Sequence, residues 1–272
     1  MVSTLPSGIW ITLTYSYMDL LMKYKIVTCF NEEILNQTGN TVLNQFKEIW
    51  EPSFEFHCYY YQIDISKYSL PQAPNIFYHN LETLEDYSKF LEEYKEHDGT
   101  EGGQIPYQDI LNPHKFLPRV LALTECAFNN ADAWMVWIDP DVIAKKKITA
   151  KELDKLFPDE RDKVDMLCLR AALFLSRQTS VDLLGDFRGA FISGEFLNYR
   201  EWHDTFVLNR LRTIYVAHGM RSEELSNEKS YINALFACLR DKKSASLRDK
   251  DGNRILQLSD TETSPDILPK FL

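Results

Sequence analysis

The chain has 272 residues, 44% of them hydrophobic, which is enough apolar material for one large α/β domain or two small ones. Its 30 basic and 40 acidic residues leave a net charge of −10, which argues against a large footprint on a nucleic-acid backbone, because that affinity leans on Lys and Arg. The cysteine count is 5, odd and without a metal-ligand spacing, so these residues read as buried thiols of a reducing, cytoplasmic compartment rather than a disulfide framework.

Residues 1–22 carry a fairly apolar run from Ile9 to Met22 but no basic residue before Lys23. That pattern fits neither a signal peptide nor a membrane span, and Met18 and Met22 are alternative starts, so 1–22 reads as an extension outside the domain. Tyr24 to Phe30 is the first strand, followed by a polar turn at Asn31-Glu32-Glu33. Val42, Leu43, Phe46, Ile49 and Trp50 share one face of a helix expected over Thr41–Trp50, which Pro52 ends. Strands at Phe54–Tyr61 and Asn75–His79 complete a β-α-β pattern that favours a parallel sheet. An acidic amphipathic helix is expected over Leu81–Tyr94, a long loop over Glu96–Pro113 and a helix over His114–Phe128.

Trp134 to Ile138 is a continuous apolar run stopped by Asp139-Pro140-Asp141, which is how a fully buried central strand ends. Thr149 and Glu152 form a capping box for a short helix over Thr149–Leu156. Val164–Arg170 and Ala172–Leu175 read as strands, Ser180–Phe191 and Trp202–Arg212 as helices, and Ile214–Ala217 as a short strand ending at His218. Asn227–Arg240 is the last expected helix. Asp251-Gly252 signals a hairpin turn in a tail over 244–272. The whole is an α/β chain with one domain over 23–243, and no segment is long and apolar enough to cross a bilayer.

Asp139 and Asp141 carry the clearest chemical signal. Pro140 fixes its own φ and holds Asp139 extended, so two hard oxygen ligands stand at a strand end, a pattern suited to Mg2+ or Mn2+ bearing a diphosphate. An acidic turn closing a strand is the plain alternative. Asp249-Lys250-Asp251-Gly252-Asn253 opens like a calcium loop, but Arg254 replaces its sharp-turn glycine.

The first strand, the Asp-x-Asp strand and a carboxylate-bearing helix start beyond it together resemble the GT-A class of nucleotide-sugar glycosyltransferases. More narrowly, Ile26-Val27-Thr28-Cys29-Phe30-Asn31, Trp137-Ile138-Asp139-Pro140-Asp141 and Glu201-Trp202-His203-Asp204-Thr205-Phe206-Val207 resemble a family of small phage and bacterial glycosyltransferase-like proteins. That family usually has Ala where Pro140 stands, and its C-terminal glycine-and-lysine element is not recognisable here. The resemblance implies a GT-A-like fold: an open, twisted, mostly parallel sheet flanked by helices. It further implies a nucleotide cup at Thr28, Phe30, Asn31 and Glu32, a basic contact from Lys115 or Arg119, and a metal held by Asp139 and Asp141 with His218 as third ligand. Asp204, with Glu201 second, is the carboxylate expected to face an acceptor hydroxyl, although either residue also suits a plain helix cap.

The expected activity is therefore sugar transfer from a nucleotide-diphosphate sugar to a glycan, small molecule or protein, with modified DNA ranked below these. A nucleotidyltransferase is the alternative, disfavoured because Cys29-Phe30-Asn31-Glu32-Glu33 has no glycine to cradle a triphosphate. A non-catalytic nucleotide-sugar-binding protein on the same fold is the other.

Overall fold

A computed structural model describes residues 24–97, 112–129, 133–157, 163–168, 172–225 and 231–239. Strand β1 (Tyr24–Phe30) is buried at every position, Lys25 and Thr28 included, as befits a strand covered on both faces. It leads into helix α1, which begins as Glu32–Ile34, passes through a π-helical turn at Leu35–Gly39 and continues as Asn40–Glu48. Then come β2 (Glu55–Tyr60), β3 (Ile76–Asn80), α2 (Glu85–Glu93) and α3 (Pro113–Asn129). The second half holds β4 (Trp134–Ile138), β5 (Val142–Ala144), α4 (Ala150–Asp154), β6 (Met166–Cys168), β7 (Ala172–Leu175), α5 (Arg177–Ile192), α6 (Asp204–Ala217), β8 (Ser222–Glu224), α7 (Ile232–Leu235) and β9 (Phe236–Cys238). Contacts divide the chain after Ala237, and only Cys238 and Leu239 of the second unit are described.

Seven strands form one sheet in the order β3-β2-β1-β4-β7-β6-β8, while β5 and β9 form a separate pair. β1 is parallel to both β2 and β4, and β2 is parallel to β3. β7 alone among these strands runs against its neighbours, pairing antiparallel with β4 and with β6. The chain is thus α/β with a mostly parallel central sheet and helices on both faces. Strand alternation divides the core accordingly. Val27, Met135 and Trp137 pack with Leu117, Val120 and Leu121 of α3, Phe187 of α5 and Val207 of α6. Ile26, Phe30, Val136 and Ile138 pack on the opposite face with Leu35, Leu43 and Phe46 of α1.

This order sets the place of the site. From β1 the chain moves through α1 to β2 and β3 on one side, then returns through α3 to β4 on the other. The reversal falls between β1 and β4, and open α/β sheets bind ligands in the crevice at such a point, beyond the carboxyl ends of the strands.

Several expected boundaries shift. Asn31-Glu32-Glu33 is a helix start rather than a turn: the Asn31 side chain accepts from the Ile34 N–H at 2.9 Å, and two acids suit the positive end of the helix. Ile214 to Ala217 continue α6 and form no strand, since the helix is fixed by Val207, Leu208 and Leu211 and runs on over β-branched residues that stay exposed. In place of a long final helix, α7 is one turn and gives way to β9, which pairs with β5. The Thr149 cap is as expected, accepting from the Glu152 N–H at 3.2 Å. Residues 1–22, most of the 96–113 loop, the Asp251-Gly252 turn and the calcium-like stretch lie outside the described residues. No helix among the described residues is long and apolar enough to cross a membrane.

Candidate active site

Trp137 and Asp139 stand two residues apart at the end of β4, so both side chains turn toward the α3 face. The Trp137 indole N–H donates to Asp139 Oδ1 at 2.6 Å. Arg119, from the middle of α3, lays its guanidinium 5.0 Å from the centroid of the same indole. Its Nη1 then reaches Asp204 Oδ2 at 3.0 Å and the Thr205 hydroxyl at 3.3 Å. Asp204 is the first residue of α6 and only 3% exposed. Its Oδ1 accepts the Thr205 N–H at 2.8 Å, one of the free donors of the helix start. Arg119 therefore links three elements: its own helix α3, the Trp137 ring near the end of β4, and the mouth of α6. Cys29 of β1 lies at the level of Asp139, because Val27 is in register with Trp137.

Charges of both signs meet in this cluster. Burial raises the Asp139 carboxyl above its ordinary range; Arg119 and the Trp137 N–H oppose that, while Asp141 and Asp204 add to it. Burial would lower the Arg119 guanidinium, but Asp204 and then Asp139 hold it above its usual value. Burial pushes the Cys29 thiol far up, so it is an uncharged neighbour rather than a nucleophile. Asp141, 5% exposed, closes the turn in which the Val142 N–H donates to the Asp139 carbonyl at 2.9 Å. Among the described residues, Arg119 thus lies between the carboxylates of Asp139 and Asp204.

Among the described residues no group of three or more His, Cys, Asp or Glu is arranged to hold a metal by itself. Two carboxylates on a rigid turn still fit Mg2+ or Mn2+, which usually take one or two protein carboxylates and complete their shell with phosphate oxygens and water. Asp139 and Asp141 are the two oxygen donors that this turn supplies. His218 does not join them. It follows the last residue of the 14-residue helix α6, about 20 Å along the axis from Asp204, and its Nδ1 lies 2.8 Å from the Ile214 carbonyl.

The other expected residues lie apart from this cluster. Lys115 is exposed one turn before Arg119, on the same face of α3. Glu201 pairs with its neighbour Arg200. Glu32 is exposed and accepts from the Tyr68 hydroxyl at 2.5 Å, while the Asn31 carboxamide is engaged in capping α1. Phe30 and Thr28 are sealed on the α1 side of the sheet, where the Thr28 hydroxyl has no hydrogen-bond partner among the described residues.

Reading the sequence for carboxylates missed Trp137 and Cys29. The signal for Trp137 was present, since a residue two before Asp139 on a strand must share its face. A scan against protein-family models and a search of curated proteins both return no match to this chain.

Proposed function

We propose that this chain is a metal-dependent glycosyltransferase of the GT-A type, moving a sugar from a nucleotide-diphosphate sugar to an acceptor hydroxyl. The observation that carries the reading is the place of Asp139-Pro140-Asp141: at the β1/β4 switch point, beside Arg119 and the Asp204-bearing mouth of α6. The sheet order, with one strand reversed beside β4, is compatible with that fold. Asp139 and Asp141 are two hard oxygen ligands that suit a divalent cation carrying a diphosphate.

In this reading Asp139 and Asp141 hold the cation, which when bound neutralises the departing nucleoside diphosphate as a Lewis acid. Arg119 places a fixed positive charge beside the leaving group. Asp204 suits the holding of Arg119 better than the taking of a proton, because its oxygens already accept from Arg119 and the Thr205 N–H. Glu201, whose partner Arg200 is exposed, is the carboxylate left for the acceptor side. A nucleotidyltransferase is disfavoured further by Glu32 and Glu33, whose charges oppose a phosphate at the start of α1.

Incubation with UDP-, GDP- and CDP-sugars plus Mn2+ tests the reading. Release of free nucleoside diphosphate is expected, and Asp141→Ala should abolish it while the circular dichroism spectrum is unchanged. Pyrophosphate release would indicate the nucleotidyltransferase instead, and silence with every donor a binding protein. Full Mn2+-dependent turnover by Asp141→Ala would defeat the metal assignment.

A further inference from the structure

A buried indole must place its N–H, and in β4 that group goes to a carboxylate two residues along the same strand rather than to backbone. At 2.6 Å the bond is as short as charge-assisted hydrogen bonds become. One oxygen of Asp139 is thereby committed, which fixes the plane of the carboxylate and the direction of Oδ2. The face of the same ring carries Arg119 at 5.0 Å, within the range of a cation–π contact, and Arg119 is in turn paired with Asp204. Trp137 itself is 1% exposed, so it cannot be a ligand-binding surface.

We propose that Trp137 is a positioning residue that presets Asp139 as a cation ligand through its indole N–H, and holds Arg119 beside it through its ring. The proposal rests on the glycosyltransferase reading for what the cation accompanies. Its logic is that of groups behind a metal ligand, which orient the ligand and whose removal weakens metal affinity about 10–100-fold. The two functions of the ring are separable: Trp137→Phe keeps an aromatic face for Arg119 and most of the core volume, and deletes only the N–H.

The test combines binding with a spectroscopic signature. In protein labelled with 15N at the indoles, the resonance lost in Trp137→Phe identifies Trp137 among the 5 tryptophans. That resonance is expected to move in Asp139→Ala, and to broaden when Mn2+ is added with UDP, GDP or CDP. Trp137→Phe should unfold within a few degrees of the wild type yet bind Mn2+–nucleotide about 10–100-fold more weakly. Should Trp137→Phe fail to fold, sequential assignment of the wild type identifies that resonance instead. An indole resonance indifferent to Asp139→Ala overturns the proposal. So does Trp137→Phe binding within twofold of a wild type that binds. If the wild type takes up no Mn2+ with any of the three nucleotides, the functional reading fails and the positioning role falls with it. The indole shift in Asp139→Ala would still be seen in that case, which separates the two failures.

Discussion

Arg119 and Asp204 face each other at 3.0 Å from helices distant in sequence, with side chains 17% and 4% exposed. Removing one member of such a pair strands a buried charge. Arg119→Met is therefore expected to destabilise the fold by about 3–5 kcal/mol, and Arg119→Met with Asp204→Leu to recover much of that. Urea unfolding decides it, and a loss under about 1 kcal/mol in the single variant would show that the pair is not held as described. His57 offers a second handle. Its Nδ1 lies 3.1 Å from His79 Nε2, and Lys25, Glu55, Tyr59 and Phe77 surround the two rings. Burial, helped by His79 and Lys25, lowers His57 to about 4 against the pull of Glu55. Unfolding then takes up a proton between about pH 6.5 and 4, so His57 lowers stability as the pH falls through that window and has no effect above it. The loss expected is on the order of 3 kcal/mol, and His57→Gln should flatten it in urea titrations at pH 7 and pH 4.5. A variant that kept the full acid sensitivity would shift the cause to other groups. Of these residues, Asp139 and Asp141 were legible because turn chemistry stops an apolar strand. The Arg119–Asp204 pair was not, because no local spacing joins α3 to α6.

Elements were legible where one face is buried and obscure where it is not. Strand β4 and helix α3 follow directly from their apolar patterns. The last turn of α6 looked like a strand because Ile214 and Val216 are β-branched, yet they are 46% and 45% exposed and the helix carries them without burying them. The π-helical turn in α1 has no sequence signature that pattern reading would find; it falls just after β1, where such turns commonly accompany functional sites. Glycines give the sharpest test at this scale. Gly194, between α5 and α6, has φ +74°, and an added Cβ would sit 2.4 Å from the Tyr94 hydroxyl. Gly194→Ala should lower stability by about 1–3 kcal/mol. Within α5, Gly185 has no atom within 4 Å of such a Cβ, so Gly185→Ala should raise stability by up to about 1 kcal/mol. Thermal unfolding of the two variants compares them, and equal shifts would contradict the local geometry.

At the scale of the molecule, strand order is the fact that no single segment reveals. Parallel pairing followed from the β-α-β rhythm, but the placing of β4 beside β1, with β7 reversed beyond it, comes only from the assembled sheet. That order puts an ordinary acidic strand end at the point where the winding of the sheet reverses. The chain as a whole carries −10, and among the described residues Arg119, Asp141 and Asp204 are the charges that act on Asp139. On the proposed reading, a nucleoside diphosphate arrives with the cation that Asp139 and Asp141 hold. The most direct measurement is calorimetric titration of Mn2+ into the protein, alone and with saturating UDP, GDP or CDP. Weak uptake alone, much tighter uptake with one of the nucleotides, and loss of that gain in Asp141→Ala are the predicted results. Equal affinity with and without every nucleotide, or an Asp141→Ala variant that binds as the wild type does, would contradict the account.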